Sequence, residues 1–527
     1  MDTLPLPKGS GMVPRALART KRGRRTARWA VVLAAALLGA CSSVRPWLNE
    51  PLPATANTVV ERQELLRQIA ARDPSMLVAV TLSGGGARAA AFGFGVLSAM
   101  QDTQFRWNGK DTTLLNATDV VSGVSGGSMV AAYFAAHGID GLPAFERDFL
   151  RQNFQGSLLS LALRPDNLLE LTSPWLGRSH LLARQLDQLY GGMTFGDLEQ
   201  RPRHPQLLIT ATDMSLGTAF EFTWDQFNLI CSDLSRVPLS FAVAASSAVP
   251  LLLSPMTLKN YAGDCAHPTA ASALDSKASG GGYRARLYRA HKRSYLNAQR
   301  KTNIHLLDGG LADNLGVQRL LDRALGGGMR STFSEVHVPP GTIQKLVLIM
   351  VNAERDPSFD IEQSDEVPSL GQVVDAMLFG AGARATRETQ EFLRDTIDQW
   401  REALASGTSE LGDAFAPQAQ IYVVQVNLRD APDIKARQRL LQVPTAFSIS
   451  DDEVSALIHA GGSVLRHSTD FQALATSLDA QVLPEREAPT PHPHVPLQAP
   501  SPTLDTSDKE HLLEAIGPVQ GSPLASQ

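Results

Sequence analysis

The chain has 527 residues, 43% hydrophobic and 19% charged, with a formal net charge of -5 at pH 7. This is enough material for a sizeable core, and no apolar run has the length of a membrane-spanning helix. The mild acidity excludes a basic nucleic-acid binder, and three cysteines are too few for a disulfide scaffold.

Residues 1–40 read as an export signal. Lys21, Arg22, Arg24, Arg25 and Arg28 precede Trp29–Ala40, an apolar run of about 12 residues with the length of a signal h-region. The junction Leu38-Gly39-Ala40-Cys41 resembles the lipobox of bacterial lipoproteins. That resemblance implies cleavage before Cys41, lipidation of Cys41 and, because Ser42 follows, sorting to the outer membrane of a bacterial envelope. Losing residues 1–40 removes eight basic residues and one acidic one, which takes the formal charge from -5 to -12. Residues 41–75 read as a tether carrying an amphipathic helix, "TVVERQELLRQIAARD". Cys231 and Cys265 then remain, and their spacing does not decide whether they pair. Without CxxC, HExxH or an EF-hand loop, neither a metal nor a cofactor is expected.

From residue 76 to 480 strand-like and helix-like segments alternate, the pattern of an α/β domain around a largely parallel sheet. Strands are expected at 76–82, 119–123, 206–212, 304–307, 344–351 and 420–428, mostly as continuous apolar runs. Helices are expected at "SMVAAYFAAHG", "PLSFAVAASSA", "LGVQRLLDRAL", from about 371 to 405, and at "DDEVSALIHAGGSVLRHS". Residues 259–303 interrupt this alternation and include "YRARLYRAHKRSYLNAQRK", seven basic residues with no acid. Such a stretch fits an acidic partner or anionic lipid at 283–301, or simply a solvated helix. The tail, 483–527, is rich in Pro, Ala, Ser and Thr, a composition that does not build a core.

Three stretches carry chemistry. In "DVVSGVSGGSMVAAYF", Ser125 stands between Gly123 and Gly127, after an apolar strand and before a small-residue helix, the setting of a nucleophile elbow. In "IHLLDGGLADNLGV", Asp308 ends an apolar strand, is followed by Gly309 and Gly310, and is expected at the C-terminal end of a parallel strand, where it can serve as base. In "LSGGGARAAAFGFGVL", Gly84, Gly85 and Gly86 open a helix whose unencumbered N-H groups can meet an oxyanion, with Arg88 one turn on. The same glycines satisfy GxGxxA, but "AMQDTQFRWNGKD" supplies no buried second strand for a dinucleotide site.

With these stretches the chain resembles the patatin-like phospholipases, especially their lipoprotein members. The resemblance implies a three-layer fold with a largely parallel sheet flanked by helices, and a lipid acyl hydrolase of phospholipase A or lysophospholipase type working through a Ser-Asp dyad. It places the nucleophile at Ser125, the base at Asp308, and the oxyanion loop at Gly84, Gly85, Gly86 and Arg88. "ATD" at 211–213 and "ASSAVP" at 245–250 match two weaker family blocks, the second lining the pocket. Ala89 stands where many members have glycine, a small matter once a helix has begun. A Ser-Asp-His esterase using His337, which falls in the required order, and a lipid-anchored binding protein without turnover are the alternatives.

Overall fold

In a computed structural model the described residues are 43–53, 73–201, 204–264, 283–318, 321, 339, 341–355, 365–369, 372–373, 376, 381–406 and 415–484. Cys41, Cys265, His337, the helix expected over 58–73 except its last residue, and all of the tail beyond residue 484 lie outside them. The described residues belong to one compact unit that ends at Ala488.

Apolar, β-branched runs build the centre. Strands β1 (Met76–Leu82), β4 (Val120–Val124), β5 (Gln206–Asp213), β9 (Ile343–Asn352) and β10 (Phe415–Asn427) pair in parallel, in the order β10-β9-β1-β4-β5. Beyond β5 the sheet turns antiparallel through β8 (Asn303–Leu307) and β7 (Met256–Lys259), and β6 (Thr218–Glu221) also pairs with β5. Every strand expected from sequence is present, β1 with the expected bounds. β8, however, runs opposite to β5, so Asp308 is not delivered at the C-terminal end of a parallel strand. A hairpin, β2 (Thr103–Trp107) and β3 (Lys110–Thr113), turns at Asn108-Gly109, both at positive φ, and pairs with β11 (Gln481–Val482) as a separate small sheet. Its Asn-Gly turn is the hairpin signal that the polar strands around it obscure.

Side-chain alternation along β9 shows the layering. Val347, Ile349 and Val351 join the main core, whereas Leu346, Leu348 and Met350 pack with Leu393 and Ile397 of a long helix, Ala381–Ser406. Helices thus cover both faces. In the main core, α1 (Gly86–Gln101) lies against the C-terminal α9 (Asp451–His467) at almost backbone-to-backbone distance. A Cβ on Gly95 would come 2.1 Å from the Ile458 carbonyl oxygen, and one on Gly461 2.3 Å from that of Phe92. Helix α9 is well specified by its capping box, Ser450 with Glu453, and by three acidic residues in its first turn.

Residues 43–53, expected to form part of a tether, instead pack on the body. Trp47 lies 4.6 Å from the Phe241 ring, Asn49 bonds Ser232 and Lys259, and Leu52 N donates to Cys231 O. Cys231 is disulfide-bonded, its partner lying outside the described residues.

Candidate active site

Strand β4 runs straight into the elbow. After Val124 the chain reverses at Ser125, whose φ of 49° and ψ of -121° are costly for a residue with a side chain, on the order of 1–3 kcal/mol. Surrounding bonds enforce that conformation. Ser125 N donates to Ser246 Oγ at 2.8 Å, Ser246 Oγ donates to Thr210 O at 2.6 Å, and Ser128 Oγ donates to Ser125 O at 2.6 Å. Helix α2 (Gly126–Gly141) then starts directly against α1: a Cβ on Gly126 would sit 2.0 Å from the Gly86 carbonyl oxygen. Gly123 and Gly127 are equally confined, by Ser128 Cα and the Leu82 carbonyl.

Strand β8 brings Asp308 to the serine from the other side. Its backbone is fixed by Thr212 Oγ1, which donates to Asp308 O at 2.7 Å, and by donation of Asp308 N to Ala248 O. Gly309 N donates to Ser246 O, and a Cβ there would meet Thr210 O at 2.1 Å, so the chain passes tight along β5. The carboxylate accepts Ser125 Oγ-H on Oδ2 at 2.7 Å and Gly310 N-H on Oδ1 at 2.8 Å. Burial pushes its pKa up from 3.8 to about 6, with the bonds from Ser125 and Gly310 offsetting only part of the cost. The contact between serine and aspartate is direct, with no imidazole between them.

The glycine loop forms the third wall. Ser83 N and Gly84 N are spent on Val351 O and Asn314 O, then Gly85 and Gly86 take φ values of 139° and 61° as α1 begins. Neither the Gly85 nor the Gly86 N-H has an acceptor among the described residues. Two unpaired donors beside a helix start, with Gly126 packed on Gly86, suit a developing negative charge.

Arg88, expected in the oxyanion loop, braces that loop from within the protein and does not face a ligand. It is 2% exposed, and its guanidinium is committed to protein acceptors. Nε donates to Ala353 O at 2.9 Å, Nη1 to Val443 O, and Nη2 reaches Thr445 Oγ1 at 3.5 Å. Burial, aided by Arg355 and opposed by Glu354, brings its pKa down to about 10. Arg88 therefore positions segment 443–446, whose Ala446 carbonyl accepts Ala87 N-H at 2.7 Å and closes over Gly86. Helix α1 has already begun before Ala89, so the missing glycine there costs nothing visible.

The weaker motifs have structural work. Asp213, at the end of β5, is fully buried and bonds Lys301 at 2.6 Å, Tyr295 Oη at 2.8 Å and Ser215. Burial opposes its charge, yet the bonds from Lys301, Ser215 and Tyr295 hold its pKa below 3.8. Lys292, on α7 (Tyr283–Tyr295), pairs with Glu221 at 3.2 Å and also bonds Gln226. Two of the seven basic residues at 283–301 are thus turned inward as docking pins. Ser246, inside the "ASSAVP" block, braces Ser125, and only a three-dimensional view reveals that use of its hydroxyl. Among the described residues no His, Cys, Asp and Glu cluster could hold a metal ion, and no helix is long and apolar enough to cross a membrane.

Comparison with known proteins gives a family match over the stretch that holds these residues. Residues 80–321 match the family model described as Patatin-like phospholipase. No curated protein matches the sequence significantly. Among solved structures, human GIVD cytosolic phospholipase A2 is similar at 12% identity and a TM-score of 0.39, over 82% of this chain and 68% of that one. VipD from Legionella pneumophila is similar at 13% identity and a TM-score of 0.30, over 77% and 67%.

Proposed function

From the premise that the chain carries a patatin-like phospholipase domain over residues 80–321, and so belongs with lipid acyl hydrolases, we propose that it is a serine ester hydrolase of phospholipase A or lysophospholipase type working through a Ser125-Asp308 dyad. The 2.7 Å bond from Ser125 Oγ to Asp308 Oδ2 is the observation that carries this reading.

Asp308 accepts the proton as Ser125 Oγ attacks the ester carbonyl carbon. The N-H groups of Gly85, Gly86 and Gly126 receive the oxyanion, and the leaving alcohol departs with the proton from Asp308. Water then attacks the acyl-enzyme, Asp308 takes its proton, and Ser125 recovers a proton as the fatty acid leaves. A base with a pKa of about 6 is ionised at neutral pH, yet basic enough to draw a proton in the transition state. Substrate reaches the site from a membrane to which lipidated Cys41 anchors the chain, in our reading at the outer membrane.

Labelling intact protein with a fluorophosphonate probe tests this directly. The adduct is expected on the peptide containing Ser125 and is lost in Ser125→Ala. Ser125→Ala and Asp308→Asn should each abolish ester hydrolysis without additive loss, and His337→Ala should stay within a few-fold of the parent. Labelling elsewhere, or full activity in Asp308→Asn, would refute the dyad.

A further inference from the structure

Residues 154–177 are leucine-rich, and much of that leucine faces outward. In α3 (Phe154–Ala162), α4 (Pro165–Glu170) and the turns around them, Leu159, Leu163, Leu168, Leu169 and Trp175 are between 46% and 62% exposed. The segment is tied together, since Asn167 Nδ2 donates to Leu161 O and Arg184 bonds both Asn167 and Glu170. It is also tied to the turn after the pocket block, where Leu251 and Leu252 are 69% and 61% exposed and Arg178 donates to Leu251 O at 2.7 Å. Leu251 holds a φ of 69°, a left-handed conformation unfavourable for leucine. Exposed apolar surface on this scale marks an interaction face.

Three further features say what covers it. Arg45, Arg164 and Arg178 lie along this stretch with exposed Asp166, while Glu170 is already paired with Arg184 at 2.7 Å. Apolar side chains with this excess of cations, on a chain of net negative charge, fit an anionic bilayer surface better than a second copy, which would bring like charges together. The N-terminal segment runs onto this same face. Ser173 Oγ donates to Val44 O at 2.7 Å, and the Arg45 guanidinium lies 4.0 Å over the Trp175 ring. Cys41 is three residues upstream of Val44, so the lipid that the proposed function puts on Cys41 would start no more than about 11 Å of chain from Val44. Finally, the face is linked to the catalytic loop: Phe447 N and Ser448 Oγ bond Gln155 at the start of α3, and the preceding Ala446 closes over Gly86.

We propose that the leucine-rich hairpin 154–177, together with Leu251 and Leu252, is a bilayer-docking face that seats the protein on an anionic phospholipid surface. This deepens the lipid-hydrolase reading by assigning the surface through which substrate is presented. Docking is read first without turnover, so it can be judged even if that reading fails. The full-length protein is mixed with vesicles of phosphatidylethanolamine and a minor share of phosphatidylglycerol, with or without phospholipid brominated in its acyl chains. Brominated lipid is expected to quench a component of tryptophan emission that Trp175→Phe lacks. The double variant Leu163→Glu with Leu169→Glu should cut turnover of vesicle phospholipid by about tenfold or more, because buried leucine surface is lost, while turnover of a dissolved short-chain ester stays within about twofold. Equal quenching in the parent and Trp175→Phe would overturn the proposal, as would equal loss on both substrates. Dissociation of a dimer by the double variant, with quenching unchanged, would also overturn it by making the face a contact between copies.

Discussion

Asp308→Asn is expected to make the folded protein more stable while destroying its chemistry. The folded carboxyl has a pKa of about 6 against an ordinary 3.8. At about 1.36 kcal/mol per pH unit, its ionisation costs the folded state about 3 kcal/mol. The folded chain holds this proton more tightly than the unfolded one. The cost is therefore absent below about pH 3.8, grows as pH rises, and is complete above about pH 6. An amide carries no charge at any of these values. Its oxygen can still accept Gly310 N-H and its nitrogen can donate to Ser125 Oγ, so the geometry survives. Urea unfolding near pH 8 should show Asp308→Asn more stable by up to about 3 kcal/mol, with the gap closing near pH 4. Asp313, also buried with its pKa raised to about 6, is common to both proteins and cancels. A gap of equal size at both pH values, or a variant less stable than the parent near pH 8, would refute the account of burial as the cause.

The same pKa sets a rate limb: kcat/KM on a soluble ester should fall about tenfold per pH unit below about pH 6, as Asp308 takes up a proton, and a profile flat to pH 4 would contradict its role as base. Ser246→Ala leaves the Ser125 N-H buried without an acceptor. A stability loss of about 1–3 kcal/mol and a drop in kcat with little change in KM are expected, measurable by unfolding and steady-state kinetics. Cys41→Ser should abolish salt-resistant recovery of the protein with outer membranes in cell fractionation, since covalent lipid resists salt where charge alone does not.

What could be read from residues alone was what local pattern determines. β1, β4 and β9 are apolar runs long enough to declare themselves, and Gly123-Val124-Ser125-Gly126-Gly127 is a turn that only small residues permit. Asp308 was legible for the same reason, from its strand and the two glycines after it. The direction of β8 was not, because five residues alternating polar and apolar at their start are too few to tell a parallel from an antiparallel ladder. Arg88 was legible as a residue of the loop but not in how it serves it: only the carbonyls of Ala353 and Val443, hundreds of residues away, reveal that the guanidinium is used within the protein. Ser246 and Ala446 were silent because a hydroxyl or a carbonyl carries no signature of its partner. In the basic stretch, charge pattern suggested an exterior surface, while Lys292 and Lys301 found buried Glu221 and Asp213.

The seat that Ala446 forms over Gly86 bears on what counts as a self-sufficient piece of this protein. Residues 80–321 contain Ser125, Asp308 and all three loop glycines, so a fragment ending near Leu321 would hold every reacting atom. It would nevertheless lack β9 and β10, the Val351 and Ala353 carbonyls that hold Ser83 and Arg88, and the 443–446 strap that fixes where the Gly86 N-H points. Such a fragment should be catalytically mute even if it could be kept in solution. Substitutions in the last quarter of the chain can, by contrast, retune the rate without touching substrate, giving evolution a control over turnover far from the nucleophile in sequence.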